Sequence, residues 1–299
     1  MTKTRISPPF GYFGSKNRIA LRLCKDLPPH NCWVEAFCGS AAMTLAKEAA
    51  PIEVINDIDK EIINLFRQLR NNSEELLRVL NFTPYAAQEL YDARIKDEGD
   101  TDLERARKFI IQSMMAINGS FGRDRGGFST SHSYTRNNTE ARVNRWNNLP
   151  ERLEKVIERL KRVRIENKDA RRLLQKYVNR PATLVYLDPP YFADRTNGYN
   201  IDANDEEFHK ALLTLANEAN CMIFISGYES DLYNSQLTEE NGWKKKKIMT
   251  NTKGSDGVFQ PRTEIVWMNR NYLVAIEANQ LPMLLSEKEQ KMGKVNPER

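Results

Sequence analysis

The chain has 299 residues, 40% of them hydrophobic, and a formal net charge of +5. This is enough apolar material for one large core, or for one core with a smaller inserted domain. The N-terminal residues lack the apolar run of a secretory signal, and no run approaches the roughly eighteen residues of a membrane helix. We therefore expect a soluble, cytoplasmic protein without a membrane partner.

The four cysteines show neither paired spacing nor neighbouring histidines, and the chain has only three histidines. This composition argues against a zinc site, and we expect no metal. Free thiols in a chain of this size are typical of a reducing cytoplasm.

Positive charge is concentrated in one part of the chain. Residues 101–180 contain 19 Lys and Arg against 9 Asp and Glu, whereas the remainder is net negative. A basic block favours a polyanionic partner, because each neutralised phosphate releases a counterion. On charge alone, a solvated helical face is an equally good interpretation.

The first part of the chain alternates between strand and helix patterns. An apolar strand begins at Trp33 and ends in a tight turn, and a helix of small residues is predicted over residues 41–49. A second strand ends at Asp57, after which a helical period continues as far as Asn71.

The same alternation returns in the C-terminal part. Short apolar strands are predicted over residues 164–167, 183–188 and 221–226, and a closing antiparallel hairpin over residues 243–249 and 264–269. Strands that alternate with helices predict an α/β fold with a mostly parallel sheet covered on both faces.

A segment of different composition lies between these two parts. Residues 84–117 predict helices rich in Ala, Leu and Arg, and residues 118–148 are rich in Gly, Ser, Thr, Asn and Arg. A polar stretch of about thirty residues is too long for an ordinary connection, so it is either functional or disordered. Interleaved aromatic residues argue against disorder. They are Phe121, Phe128, Tyr134 and Trp146.

The sequence Asp188-Pro189-Pro190-Tyr191 directly follows an apolar strand, at the position where open α/β sheets bind ligands. The amino lone pair of adenine is delocalised into the ring, so the nitrogen is a poor nucleophile until two acceptors polarise its N–H bonds. Asp188 offers a carboxylate and Pro189 a carbonyl, and the prolines contribute no competing N–H groups. Tyr191 offers an aromatic face to a flipped base. The alternative is a turn that merely ends the strand.

The first strand and its turn suggest a nucleoside cofactor. Gly39 follows Glu35 and Phe37 and lets the backbone approach a ligand at the start of a helix. The three glycines of a dinucleotide site are absent, which weakens a nicotinamide interpretation. Asp57 ends the next strand, where an acidic side chain accepts hydrogen bonds from ribose hydroxyls. A cofactor with a ribose but no pyrophosphate fits both features.

Taken together, these motifs resemble the DNA adenine methyltransferases of the Dam type. The matching pieces are residues 9–16 (Pro-Phe-Gly-Tyr-Phe-Gly-Ser-Lys), 35–39, 56–57, 165–169 and 188–191. The resemblance implies the alpha-group motif order and a Rossmann-like S-adenosylmethionine-dependent methyltransferase sheet, with an inserted, mainly helical target-recognition domain that carries a hairpin. Residues 1–70 and 161–280 would form the catalytic domain, residues 71–160 the inserted domain, and residues 281–299 a flexible tail.

The resemblance also implies roles for individual residues. Tyr12 and Lys16 would close over S-adenosylmethionine, with Lys16 meeting its carboxylate or nearby acidic groups. Asp57 would hold the ribose, Asp169 the adenine portion of the cofactor, and Asp188–Tyr191 the target adenine. The full set of expected cofactor contacts is Tyr12, Lys16, Glu35, Phe37, Gly39, Asp57, Asp169 and Asp188.

Two motifs depart from the family pattern. The family usually has Trp-Ala-Gly-Gly-Lys where this chain has Tyr-Phe-Gly-Ser-Lys at residues 12–16, and Asp-Phe where this chain has Asp169-Ala170. We expect an effect on cofactor affinity and none on the acceptors of the target base.

The polar segment resembles the recognition hairpin of the family. Asn118, Arg123, Arg125 and Arg136 are the candidate DNA contacts there, and each arginine either reads a guanine edge or binds a phosphate, with phosphate favoured. The lysine run Lys244–Lys247 either contacts DNA or forms a solvated edge of the sheet, and the solvated edge is the favoured interpretation.

The implied reaction is direct in-line transfer of a methyl group from S-adenosylmethionine to N6 of a flipped adenine in duplex DNA, with S-adenosylhomocysteine as product. Transfer to the amino group of cytosine or to a glutamine amide is an alternative, and a non-catalytic DNA-binding protein is another. A companion restriction endonuclease, a phage genome and an orphan regulatory role all stay open.

Overall fold

The computed structural model describes residues 6–11, 15–117, 126–135, 138–190, 206–253 and 259–282. Within these residues seven strands form one sheet: β1 (Cys32–Glu35), β2 (Ile52–Asn56), β3 (Val163–Glu166), β4 (Thr183–Leu187), β5 (Met222–Gly227), β6 (Lys244–Lys253) and β7 (Phe259–Met268). The helices of the same part of the chain are a 3₁₀ helix (Lys16–Arg18), α1 (Ala20–Leu23), α2 (Ala42–Ala46), α3 (Lys60–Asn71), α4 (Ser73–Asn81), α5 (Ala87–Ala93), α6 (Asp102–Met115), α7 (Ala141–Asn147), α8 (Leu149–Leu160), α9 (Ala170–Leu174), α10 (Glu206–Asn217), α11 (Asp231–Gln236) and α12 (Arg270–Ala278).

Five neighbouring strands are parallel, in the order β3-β2-β1-β4-β5, and β7 and β6 complete the sheet with antiparallel pairing. The expected mostly parallel sheet and closing hairpin are therefore confirmed, and each hairpin strand is longer than expected. Strand order reverses between β1 and β4. The carboxyl ends of these two strands consequently flank a crevice, which is where open α/β sheets bind ligands.

The parallel strands are apolar because both of their faces are covered. Val34 and Val185 point to one face, where they pack with residues of α9, α10 and α11. Trp33 and Leu184, one position earlier on the same strands, point to the other face and pack with α1, α2 and α12. Successive side chains along a strand point to opposite faces of the sheet, so alternate residues of each strand belong to two separate hydrophobic cores.

The helices of the inserted segment pack on the outer side of β2 and β3. A third hydrophobic cluster joins Ile55 of β2 and Leu65 of α3 to residues of α4, α5, α6 and α8, and it includes the buried Trp146. The expected helical character of this segment is confirmed. The domain limits given above stay a prediction.

The helix after β1 is shorter than the sequence predicts. It covers Ala42–Ala46 instead of residues 41–49, because Ala41 has a left-handed backbone with φ of 55° and Lys47 is extended. The Lys47 ammonium turns towards β2 and lies 3.0 Å from a carboxylate oxygen of Glu53. This buried ion pair accompanies the end of the helix at Ala46, before the end that the run of small residues predicts.

The lysine run lies on β6, which is an edge strand of the sheet. All four side chains of Lys244–Lys247 are exposed, and the Lys245 ammonium is 2.6 Å from the Glu229 carboxylate. This placement favours the solvated edge, where lysines oppose pairing with another strand. No helix in the part of the chain that the structure describes has the length and apolar character needed to cross a membrane.

Candidate active site

Three of the predicted acidic residues meet at the carboxyl edge of the parallel strands. Glu35 ends β1, while Asp57 and Asp188 directly follow β2 and β4. Parallel pairing of β2, β1 and β4 brings these positions to one side of the sheet. The edge of the sheet where strand order reverses therefore carries acidic residues from three strands.

Asp188 is held through one of its two carboxylate oxygens. Its Oδ1 lies 2.8 Å from the Lys16 ammonium and accepts a hydrogen bond of 2.9 Å from the Ser226 hydroxyl. The Tyr186 hydroxyl is 2.6 Å from Ser226 Oγ, so the donated protons run from Tyr186 to Ser226 to Asp188. Within the described residues Oδ2 accepts no hydrogen bond, and the side chain is 16% exposed. Oδ1 is thereby fixed, while Oδ2 can accept from a ligand.

Lys16 reaches Asp188 from the N-terminal segment. It opens the 3₁₀ helix and is only 6% exposed. Just before it, the Ser15 hydroxyl lies 2.8 Å from the Ser40 hydroxyl in the turn after β1. The N-terminal motif and the first glycine turn are thus joined.

A second carboxylate faces the same ammonium. Glu264 Oε1 lies 3.3 Å from Lys16 Nζ, in ion-pair range but without hydrogen-bond geometry. Burial raises the pKa of Glu264 to about 7, and the charge of Lys16 acts in the opposite direction. Lys16 is therefore shared between two carboxylates from opposite parts of the chain.

Glu35 is buried beneath the start of α2. Its carboxylate accepts from the backbone amide of Thr44 at 2.9 Å, from the Thr44 hydroxyl, and from the Met43 amide at 3.4 Å. Burial raises the pKa of Glu35 to about 7 despite these hydrogen bonds. Both oxygens of Glu35 are used to fix the helix that follows the glycine turn.

Asp57 supports that turn from the next strand. Gly39 has φ of 46°, a left-handed conformation that favours glycine, and its amide donates to Asp57 Oδ2 at 2.9 Å. The Asp59 amide donates to Oδ1 at 3.0 Å. Burial raises the pKa of the Asp57 carboxyl to about 6, and these two amides oppose the rise.

Asparagine side chains join the remaining motif to this group. The Asn56 amide donates to the carbonyls of Ala36 and Lys168, each at 2.9 Å, and its oxygen accepts from the Lys168 amide. The Asn167 amide donates to the carbonyl of Asp57 at 2.8 Å. The loops after β1, β2 and β3 are consequently fixed relative to one another.

With this geometry established, comparison with known proteins identifies the family. The family described as D12 class N6 adenine-specific DNA methyltransferase matches residues 12–252, which is most of the chain. The chain belongs to this family. The resemblance of the motifs and the Rossmann-like methyltransferase fold predicted from them are thereby confirmed.

One individual relative of this D12-class chain matches at low sequence identity. A Type II methyltransferase of Lactococcus lactis subsp. cremoris, M1.LlaDCHI, is 29% identical over 128 residues, which are 40% of this chain and 44% of that relative. The match thus spans less than half of the relative's length.

The similarity to solved structures is weak, with TM-scores below 0.4 for the two described here. An rRNA methyltransferase of Streptomyces viridochromogenes, aviRa, has 12% identity, a TM-score of 0.37 and 89% coverage of each chain. An S-adenosylmethionine-dependent methyltransferase of Agrobacterium tumefaciens has 10% identity, a TM-score of 0.35, and coverage of 85% of this chain and 60% of that one. The family assignment rests on the family match alone.

Two predicted residues of this D12-class chain are engaged with neighbours beside the crevice. The Asp169 carboxylate accepts from the backbone amide of Arg171 in α9 and pairs with the Arg171 side chain at 2.6 Å. The half-buried Phe37 contacts Phe208 edge-on, and the Arg171 guanidinium lies 4.7 Å from the centre of the Phe208 ring. Phe37, Phe208 and Arg171 thus form a partly aromatic wall next to Asp169.

Pro189 and Pro190 follow Asp188 at the end of a described stretch, Pro189 buried and Pro190 half-buried. The other predicted residues lie outside the described part of the structure. They are Tyr12, Asn118, Arg123, Arg125, Arg136 and Tyr191. The flanks of residues 118–125 are described and lie side by side: the Ile117 amide donates to the Gly127 carbonyl, and the Ser129 amide to the Met115 carbonyl. The contact between the two flanks is antiparallel and includes a bridge between Ala116 and Phe128.

Sequence reasoning missed three residues of the site: Tyr186, Ser226 and Glu264. Ser226 is a polar residue near the end of an otherwise apolar buried strand, and Glu264 is a buried acidic residue inside β7, directly before its apolar residues. A buried polar side chain at the carboxyl edge of a sheet was the available signal, because such groups need partners. Which partners they contact depends on strand order, which the local pattern does not give.

Proposed function

We propose that this protein transfers a methyl group from S-adenosylmethionine to the N6 amino group of adenine in duplex DNA. The observation that carries the proposal is the asymmetry of Asp188, whose Oδ1 is held by Lys16 and Ser226 while Oδ2 has no hydrogen bond within the described residues. A fixed, open carboxylate oxygen is an acceptor preorganised for an amino hydrogen.

The target amino group has two hydrogens, and we assign one acceptor to each. Asp188 Oδ2 accepts one hydrogen and the Pro189 carbonyl the other, which increases electron density on the nitrogen. Pro189 and Pro190 have no N–H group that competes for these acceptors. Tyr191 stacks on the base after it has been flipped out of the duplex. The proton that the nitrogen loses after transfer passes to Asp188 or to solvent.

The crevice fits the methyl donor on the chemistry of its lining. S-adenosylmethionine supplies an electrophilic methyl group on a sulfonium. Asp57 has lone pairs left after its two amide contacts and accepts from ribose hydroxyls. The left-handed turn at Gly39 keeps side-chain bulk away from the ligand. Phe37 and Asp169 border the adenine portion, and Glu35 acts by fixing α2 below the turn.

Lys16 had two alternative roles, towards the cofactor carboxylate or towards nearby acidic groups. Its contacts with Asp188 and Glu264 support the second. We propose that Lys16 orients Asp188, and that Tyr12 contributes to the cover of the cofactor.

Duplex DNA would contact the inserted segment. Asn118, Arg123, Arg125 and Arg136 are the proposed contacts in the hairpin region. Three further arginines in the described residues support a phosphate-binding surface on the inserted segment. They are Arg142, Arg145 and Arg152. Arg152 donates to the Pro8 carbonyl at 3.2 Å, and none of the three forms an ion pair with a described carboxylate.

Product identification tests this function. Purified protein is incubated with S-adenosylmethionine and unmethylated DNA, the DNA is digested to nucleosides, and the methylated nucleoside is identified by mass spectrometry. We expect N6-methyl-2′-deoxyadenosine from wild type and none from Asp188→Ala. Glu240→Gln, which changes an exposed acid, should give the wild-type amount. N4-methylcytosine would keep the cofactor and replace the target base. Cofactor binding without any DNA product would contradict the proposal, and absence of cofactor binding would favour a non-catalytic DNA-binding protein.

A further inference from the structure

Glu264 is a buried carboxylate without an assigned role. Glu264 is 5% exposed. Among the described residues its charged partner is Lys16, whose ammonium lies 3.3 Å from Glu264 Oε1. Removing a carboxylate from water costs free energy that a single shared cation offsets poorly, so an apolar residue would pack here at lower cost. The charge at this position therefore calls for a reason other than stability.

The fold places Glu264 beside the acceptor of the target base. β7 is antiparallel to β5, and Ile265 pairs with Gly227, the last residue of β5. Glu264 therefore lies just beyond the carboxyl end of β5, at the edge of the sheet where Asp188 follows β4. It also lies C-terminal to residues 12–252, the part of the chain that matches the D12-class family.

We propose that Glu264 is a positioning residue for methyl transfer: it shares the Lys16 ammonium with Asp188, which keeps Lys16 on Oδ1 and leaves Oδ2 as a strong acceptor. This role rests on the proposed function, because it acts on the group that polarises the target nitrogen.

The physical basis is competition for one cation. Lys16 Nζ is 2.8 Å from Asp188 Oδ1 and 3.3 Å from Glu264 Oε1, so the two carboxylates attract it in different directions. Without the charge on Glu264, the ammonium can centre on Asp188 and approach both of its oxygens. Oδ2 would then carry less negative charge and would accept the amino hydrogen less well.

Protonation of Glu264 should have the same effect as its neutral replacement. The groups that face it in the described residues are Lys16, Asp188 and the Tyr186 hydroxyl. Because burial raises the pKa of Glu264 to about 7, the sharing of Lys16 is greatest above neutral pH and is lost below it. The rate of transfer should therefore rise with pH across neutrality.

The test compares Glu264→Gln with wild type in single-turnover methyl transfer to DNA from pH 6 to pH 8, with a tritiated methyl donor. Glu229→Gln is the matched control, since Glu229 is exposed and pairs with the surface residue Lys245. We expect E264Q to lower the rate above pH 7 by about tenfold, to remove its rise with pH, and to leave the cofactor Kd within about twofold. Glu264→Asp keeps the charge and should restore part of the rate.

A second comparison tests whether the effect passes through Lys16. In a Lys16→Met background, E264Q should have no further effect on the single-turnover rate. An unchanged rate and pH profile in E264Q would overturn the proposal, as would an equal loss in both backgrounds. A thermal unfolding curve shifted without any change in rate would assign Glu264 a purely structural role and overturn it too. Wild-type protein that forms no N6-methyladenine would overturn the proposed function itself.

Discussion

The Lys16 ammonium contacts Oδ1 of Asp188 at 2.8 Å, although the two residues belong to the first and the last of the motifs along the chain. The contact requires the N-terminal segment to pack on the turn after β1, which the Ser15–Ser40 hydrogen bond provides. It links the part of the site assigned to the cofactor with the part assigned to the target base. A methyl donor and an acceptor base that must be aligned need such a link.

Ser226→Ala should slow methyl transfer without weakening cofactor binding. The substitution removes the hydrogen bond of 2.9 Å that fixes Oδ1 and leaves the Tyr186 hydroxyl without its acceptor. We expect the single-turnover rate to fall by about tenfold, the value of one hydrogen bond to a charged group. Ser235→Ala, at an exposed position on α11, serves as control. A rate equal to that of the control would mean that Lys16 alone orients Asp188.

Cofactor affinity should fall as the pH is lowered below about 6. Burial raises the pKa of Asp57 to about 6, and a protonated carboxyl has a smaller capacity to accept from ribose hydroxyls. Isothermal titration calorimetry with S-adenosylmethionine between pH 5 and pH 7 should show the Kd rising by up to tenfold per pH unit below that value. Asp57→Asn should bind more weakly with little dependence on pH. A parallel pH dependence in this variant would assign the titration to another group.

Glu35→Gln should remove part of the pH dependence of stability. Because burial raises the pKa of Glu35 from 4.5 to about 7, the folded protein retains this proton to higher pH than the unfolded chain does. The stabilisation is present below the unfolded value and is lost as the pH rises through about 7, a total of roughly 3 kcal/mol.

Urea unfolding at several pH values between 4.5 and 7.5 measures this contribution. The free energy of unfolding should decrease more steeply with pH in wild type than in E35Q. The variant should also be less stable at low pH, since its amide cannot satisfy the donors of Met43 and Thr44. Glu240→Gln is the exposed control. Identical slopes in wild type and E35Q would show that Glu35 is ionised in the folded protein throughout this range.

Arg142→Gln and Arg145→Gln should each reduce the salt dependence of DNA binding. These side chains belong to a cluster without described carboxylate partners, and removal of one phosphate-binding cation lowers the slope of log K against log salt by about 1. Fluorescence anisotropy with a duplex, measured from about 50 to about 200 mM salt, determines this slope. Arg78→Gln on α4 is the control, because Arg78 pairs with Glu75. Slopes equal to the control would place the duplex elsewhere.

The sequence predicted the elements of the site better than their contacts. The apolar strands, the turn at Gly39 and the acidic residues that end β1, β2 and β4 were accessible, because period and turn chemistry are local. The contact between Ser226 and Asp188 depends on β5 lying next to β4, and that between Lys16 and Glu264 on β7 lying next to β5. These neighbour relations are set by the packing of whole helices and strands.

The predicted end of α2 was wrong for a related reason. α2 ends at Ala46 because Lys47 is extended and its ammonium pairs with Glu53, which lies on β2. Local helix propensity favours continuation through the alanines that follow, and tertiary contact overrides it. The recognition residues Arg123, Arg125 and Arg136 stay predictions, since composition identifies a polyanion surface without distinguishing bases from phosphates.

The most direct test of the account is the single-turnover rate of Asp188→Asn, measured together with its Kd for S-adenosylmethionine. The amide keeps the size of the side chain but places a donor where an acceptor is required. We predict that the rate of N6-adenine methylation falls by roughly 100- to 1,000-fold, as for removal of one preorganised group in an active site. The Kd should stay within about threefold of wild type. A variant that methylates adenine at a rate near wild type would contradict the central role of Asp188.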